Sequence, residues 1–305
     1  MIEVTGLTKR FGRTVAVDDL TFTVQSGQVT GFLGPNGAGK STTLRMIIGL
    51  DRPTSGTVTV GGARYRDHPA PLHLVGALLD AKALHKGRSA ESHLRALAQT
   101  HGIGDRRVAE VLATAGLTEV AHRRVGGYSL GMAQRLGVAV ALLGDPGTLI
   151  LDEPVNGLDP DGVLWIRTLL QRLAAEGRTV LVSSHLMSEM AVTAEHLLII
   201  GRGRLLADTT VAELIGRVEV DQVRVRSPQA ARLAGLVAAA GATVSSDTAD
   251  TLDVTGLDAE AIGLLARDNH LAVLELTPRR ASLEQAYMEL TRDAVEYREQ
   301  AGARR

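Results

Sequence analysis

The chain has 305 residues, 45% of them hydrophobic and 22% charged, with a formal net charge of −1 and no cysteine. That length allows about two domains of ordinary globular composition, and the near-neutral balance gives no pull toward nucleic acid or an anionic surface. The absence of cysteine excludes disulfides, thiol catalysis and cysteine-bound zinc. No apolar stretch reaches the ~18 residues of a membrane span, and no signal-peptide pattern opens the chain, so a cytosolic location is expected.

The first 30 residues read as short β runs, Ile2-Glu3-Val4 and Leu20 to Val24, with turn signals at Gly12 and Ser26-Gly27. Phe11 precedes the first of these turns. An aromatic there can stack on a base, although taken alone it reads more plainly as a core phenylalanine.

Val29 to Leu33 is a short apolar strand, and Leu44, Ile47 and Ile48 recur at helical spacing. Between them lies Gly34-Pro35-Asn36-Gly37-Ala38-Gly39-Lys40-Ser41-Thr42, with the spacing of a phosphate-binding loop: Gly, four residues, then Gly-Lys-Ser. The glycines let successive backbone N–H groups converge on an anion at a helix N-terminus, where unpaired donors and the dipole favour negative charge. In this pattern Lys40 places a point charge on the outer phosphates, and the Ser41 hydroxyl ligates magnesium (Mg2+). Gly49 then closes the helix, Arg52 to Gly56 makes a turn, and Thr57 to Val60 is a strand. A mostly helical stretch follows, with Ser89 capping a helix to about His101 and Asp105 capping another that Gly116 ends.

Ser129 is placed as N-cap of a helix running to Leu143, through Leu130, Gly131 and Met132. A routine capped helix and a second anion-facing helix start fit this segment equally. Leu149-Ile150-Leu151-Asp152-Glu153 is a continuous apolar run ending in two carboxylates, the pattern of a strand buried on both faces. Ligands of parallel sheets bind at that carboxyl edge, where Asp152 can hold magnesium and Glu153 can take a proton from an attacking water. Asn156 to Pro160 is a turn, and a helix follows to about Ala175. Thr179 to Val182 is a second buried strand, followed by Ser183-Ser184-His185, a position from which His185 can reach either a terminal phosphate or the attacking water. His196 to Asp208 reads as a hairpin turning at Gly201-Arg202-Gly203.

Beyond Gly216 the order is strand (Val218 to Arg226), helix (Gln229 to Ala240), strands (Ala242 to Ser246, Leu252 to Thr255), helix (Asp258 to Arg267) and strand (Leu271 to Leu276). This β-α-β-β-α-β order predicts a small α+β ferredoxin-like domain. Ser282-Leu283-Glu284-Gln285 then forms a capping box for a last helix. Nothing in this segment carries chemistry. A dimer brace or regulatory contact and a passive appendage fit it equally.

Taken together, residues 1–215 resemble the nucleotide-binding subunit of an ATP-binding cassette (ABC) transporter, through five ordered motifs. The resemblance implies an α/β P-loop NTPase cassette: a RecA-like core with an antiparallel β subdomain, a helical subdomain over about residues 84–145, and residues 216–305 as the accessory domain. Gly34 to Thr42 is its phosphate loop, Leu149 to Glu153 its strand with paired acids, and His185 its switch histidine. Phe11 falls at the family's adenine-stacking aromatic. Asn156 to Asp159 falls at the turn that couples two sites across a dimer. Ser129 to Gln134 falls at the signature helix, usually Leu-Ser-Gly-Gly-Gln, with Leu130 in place of a glycine and Met132 in place of the glutamine. Similar variants occur in exporters that include drug and antibiotic self-resistance pumps. Asp80 takes a position where the family usually has glutamine, and can accept from a magnesium-bound water.

The resemblance implies an ATPase with ATP and magnesium as ligands. It also implies a second cassette placed head to tail, most simply a copy of the same chain, and a separate transmembrane permease subunit. That assembly puts the chain at the cytoplasmic face of the membrane, exporting a drug, antibiotic or lipid-like molecule. The alternative is a soluble cassette acting on ribosomes or DNA, whose relatives usually show two cassettes in one chain or a long coiled-coil insertion. Neither is visible here. A nucleotide sensor without activity fits poorly with Lys40, Asp152, Glu153 and His185 together, and the Asn-Lys-x-Asp motif of a guanine-specific switch is absent.

Overall fold

The computed structural model describes residues 1–80, 83–216, 222–279 and 282–291. Two compact units are present, Met1–Val211 with the described residues from Met288, and Ala212–Tyr287.

The first unit opens with a β hairpin, β1 (Ile2–Phe11) and β2 (Thr14–Val24). Sequence patterning predicts shorter runs here because the ladder slips between Val4 and Leu7 and again before Lys9, with Gly6 at φ 59°. Such bulges break the period-2 alternation without ending the strand. Next come β3 (Val29–Leu33), α1 (Lys40–Ile47), β4 (Ser55–Val60), the short α2 (Pro71–Leu74) and β5 (Val75–Leu78). Three helices follow: α3 (Ala90–Thr100), α4 (Asp105–Thr114) and α5 (Leu130–Leu142). Ser89 caps α3 as expected, but Asp105 does not cap α4. Gly104 holds the N-cap position, and the Asp105 carboxylate lies 3.3 Å from Arg95 Nε instead.

The chain then alternates through β6 (Thr148–Asp152), α6 (Pro160–Ala175), β7 (Thr179–Ser183) and α7 (Met187–Thr193), and closes with the hairpin β8 (His196–Gly201) and β9 (Arg204–Thr210). Arg202 and Gly203 both have positive φ, 52° and 78°, the geometry of a two-residue hairpin turn that follows strand twist.

Two sheets result. Strands β2-β1-β4 form an antiparallel layer, and β5-β6-β7-β3-β8-β9 form the main sheet, parallel except for β9. The residues of β3 and β7 are all buried, consistent with their continuous apolar composition in the middle of a parallel sheet. One core joins both sheets around α1, and includes Leu7, Leu20, Phe32, Leu44, Ile150 and Leu198. Phe22 of β2 and Phe32 of β3 meet across the layers with ring centroids 5.9 Å apart.

The second unit runs from α8 (Val211–Gly216) into β10 (Gln222–Arg226), α9 (Ala230–Ala239), β11 (Thr243–Thr248), β12 (Thr251–Thr255), α10 (Ala259–Asp268) and β13 (Glu275–Arg279). The sheet order β11-β12-β10-β13, antiparallel throughout, is that of the ferredoxin-like arrangement. The part of the expected first strand before Gln222, Val218 to Asp221, lies outside the described residues. The last strand is displaced from the expected Leu271 to Leu276. Leu271 is buried before the strand starts, and the strand runs on through Pro278, tolerated because β13 is at the sheet edge. The capping box forms: Gln285 N donates to Ser282 Oγ at 3.1 Å and Ser282 N to Gln285 Oε1 at 2.9 Å.

Candidate active site

Because β6, β7 and β3 are neighbours and parallel, their carboxyl ends deliver three segments to one edge of the main sheet. From β3 comes the loop Gly34 to Gly39, turning directly into α1 at Lys40. Gly39 has φ 107°, and a Cβ there would lie 2.6 Å from Ala16 O. Only glycine fits. The loop is tied to the β8–β9 turn by Gly203 N donating to Ala38 O at 2.9 Å.

Lys40 is 8% exposed. Its Nζ donates to Gly34 O at 2.5 Å and Pro35 O at 3.3 Å, both neutral acceptors. Burial pushes the ammonium below the ordinary lysine range, while Glu153 and Asp152 pull it back up. A largely buried cation bonded to neutral carbonyls is poised for an anion.

From β6 come the two acids. Asp152 Oδ2 accepts from Ser41 Oγ at 2.8 Å, and its other oxygen accepts from Ser183 Oγ of β7, its partner in register. Glu153 has φ 52°, a left-handed backbone that turns its side chain out of strand alternation so both acids line one edge. Its N–H is held by Ser183 Oγ at 3.0 Å and Ser183 O at 3.2 Å, and its carbonyl accepts from Gln134 Nε2 at 3.1 Å. From β7 comes His185, with Nδ1 2.7 Å from Glu153 Oε2.

Ser41 Oγ and Asp152 Oδ2 are oxygen donors of the kind magnesium takes, and one hydroxyl with one carboxylate leaves the remaining positions to phosphate and water. Among the described residues no cluster of three His, Asp or Glu forms an all-protein cage. The donor set therefore fits a magnesium ion that arrives with a phosphate ligand.

The structure thus brings Lys40, Ser41, Asp152, Glu153 and His185 together. Thr42 follows in the first turn of α1. Asp80 is exposed, two residues past β5, at the carboxyl edge beside β6. Phe11 stands apart at the tip of the β1–β2 hairpin, 52% exposed, with Lys9 Nζ 4.9 Å from its ring centre. The core reading of that side chain is overturned. Ser129 caps α5 by accepting from Met132 N at 3.2 Å, and Gly131 approaches the turn after Glu153, where a Cβ would lie 3.0 Å from Gly157 O. Sequence reasoning missed Ser183, which braces both acids, and Gln134, which is 4% exposed. A glutamine just before the apolar run Leu136 to Leu142 of α5 is a signal that could have found the second.

A sequence model of the family described as "ABC transporter" matches residues 17–156. The bacitracin transport ATP-binding protein of Bacillus licheniformis is 41% identical over 210-odd aligned residues, covering 68% of this chain and 69% of that one. The chain belongs to the ABC transporter family. As an ABC cassette it is an ATP-binding subunit and an ATPase. The linearmycin resistance ATP-binding protein of Bacillus subtilis is 32% identical and covers 95% of this chain and 98% of its own, so the likeness extends through the second unit. A solved ATP-binding subunit of an ABC transporter, 28% identical, superposes with a TM-score of 0.65 over 71% of this chain and 92% of that one. The second unit matches a domain of unknown function over residues 221–284. Among the described residues no helix of this cassette is long and apolar enough to cross a membrane.

Proposed function

We propose that Lys40, Ser41, Asp152, Glu153 and His185 carry ATP hydrolysis, and that this hydrolysis drives export of an antibiotic-like molecule through a separate membrane-spanning subunit. The observation that supports the chemistry best is the 2.7 Å contact of His185 Nδ1 with Glu153 Oε2, at the same sheet edge as the buried Lys40.

Lys40 and the loop N–H groups of Gly34 to Thr42 hold and neutralise the phosphates. Glu153 takes the proton of the attacking water, whose oxygen bonds to the terminal phosphorus as the bond to the bridging oxygen breaks. His185 uses Nδ1 on Glu153, which leaves Nε2 for the terminal phosphate. Magnesium, when bound, neutralises charge on the phosphate oxygens, and Ser41 and Asp152 are the residues that would hold it, with Asp80 reaching its water shell. Phe11, exposed at its hairpin tip, is the surface for the adenine ring.

Ser129, Gly131 and Met132 belong to the opposing site of a head-to-tail pair, most simply two copies of this chain. The catalytic domain spans residues 1–215, and the accessory domain begins at about residue 216. Export is favoured over a role on ribosomes or DNA by the bacitracin and linearmycin relatives.

The test is purification from membranes followed by drug challenge. A multi-span subunit is expected to co-purify, and the Glu153→Gln variant should leave cells as drug-sensitive as deletion of the gene. Recovery with ribosomes and no membrane subunit would contradict the export reading.

A further inference from the structure

Helix α7 is seven residues long, and no side chain caps its start. So short a helix gains little from its own hydrogen bonds and depends on what packs against it. Two polar contacts come from one face of α6, from residues four apart. Arg167 Nη2 donates to Glu189 Oε2 at 2.8 Å in the first turn of α7, and Gln171 Nε2 donates to Val192 O at 3.0 Å in its last. The ion pair is mostly withdrawn from solvent, its side chains 28% and 23% exposed, beside the buried Ile166, Leu170 and Met190.

The same arginine lies beneath the other catalytic segment. A cavity of about 10 Å³ is lined by Arg167 and Glu189 together with Pro154 and Val155, the two residues after Glu153. Arg167 Nε is buried without a hydrogen-bond partner. The turn above it is tied to α6, because Asn156 N donates to Glu153 O at 3.2 Å and Asp159 Oδ1 caps α6 by accepting from Gly162 N at 2.9 Å. One guanidinium therefore sits between the turn that carries Glu153 and the helix that follows His185.

We propose that Arg167, paired with Glu189, is a positioning residue that sets α7, and through it His185, in register with Glu153. The proposal rests on the reading of Glu153 and His185 as the hydrolytic pair. Arg167 touches no reacting atom. Its planar fork suits the task, with Nη2 on the α7 carboxylate and further N–H donors on the same rigid plane. Removing it leaves the Glu189 carboxylate partly buried and unpaired, and α7 must shift to hydrate it.

The test is steady-state phosphate release by the full chain, with Arg167→Met, Glu189→Gln, His185→Ala, Glu153→Gln and the double variant Arg167→Met/His185→Ala. Arg167→Met should lower kcat about tenfold with KM for ATP within about twofold of the parent, as expected for displaced catalytic groups. In the His185→Ala background Arg167→Met should cost nothing further, because the group it positions is gone. Full additivity in the double variant, or an effect on KM alone, overturns the proposal. If Arg167→Met does not fold, Glu189→Gln carries the same cycle, since it keeps the side-chain volume and removes the charge. Parental kcat in Arg167→Met with an inactive Glu153→Gln defeats the positioning role alone, whereas parental turnover in Glu153→Gln defeats the catalytic reading beneath it.

Discussion

His185 Nδ1 and Glu153 Oε2 lie 2.7 Å apart although 32 residues separate them in the chain. Adjacent parallel strands make the contact: Asp152 and Ser183 are in register, and each chain end continues by one or two residues past that pair. The histidine is placed by the carboxylate proposed as the base. Replacing His185 with Ala should therefore lower turnover by roughly 10²-fold or more while ATP still binds. Phosphate release alongside fluorescent-nucleotide binding checks both halves.

Lys40 gives a stability prediction with a definite sign. Burial lowers its pKa in the folded chain, so the unfolded chain binds more protons between the lowered value and the ordinary one. The cost of the buried charge is fully present below the folded value and is relieved as pH rises through it. At neutral pH, Lys40→Met should keep or raise the melting temperature of the nucleotide-free protein, and the rise in melting temperature on adding ATP should vanish. Calorimetry with and without ATP measures both.

Gly157 has φ 76°, and a Cβ there would lie 2.3 Å from the Leu130 side chain at the start of α5. Two costs add in Gly157→Ala, backbone strain and a steric clash. A loss of about 1–3 kcal/mol is expected by denaturant unfolding. Leu130→Ala in the same chain should recover the steric part and leave the backbone part.

The second unit carries its own acid-sensitive pair. Arg224 Nη2 and Nε reach the two oxygens of Asp253 at 2.6 and 2.9 Å on neighbouring strands. The hydrogen bond from Arg224 holds the Asp253 carboxyl below its ordinary range, with Arg279 adding to it. Its stabilisation is complete above the ordinary aspartate value of 3.8 and is lost as pH falls through the lowered one. Arg224→Met should cost about 2 kcal/mol at neutral pH, with a smaller penalty in strong acid. Unfolding followed at both pH values tests the sign.

Much of the site was legible because it is built from local backbone. The Gly34 to Thr42 loop depends on glycine conformations and a helix start, and both leave fixed spacings in the sequence. The acids ending β6 were legible as a charge break after a buried run. Ser183 was not, since a single hydroxyl at a strand end has no pattern, and its importance comes from the register with Asp152. Gln134 was missed because its partner is a main-chain carbonyl 19 residues away. In the fold, the extent of β1 was hidden by its bulges, and β13 by apolar residues that serve the core from outside any strand. Long-range pairing decides both.

The most direct measurement is single-turnover and steady-state phosphate release by Glu153→Gln beside the parent, with ATP occupancy followed in the same samples. Turnover should fall by about 10²- to 10⁴-fold while ATP remains bound. Hydrolysis at the parental rate would contradict the assignment of Glu153 as the base that cuts ATP.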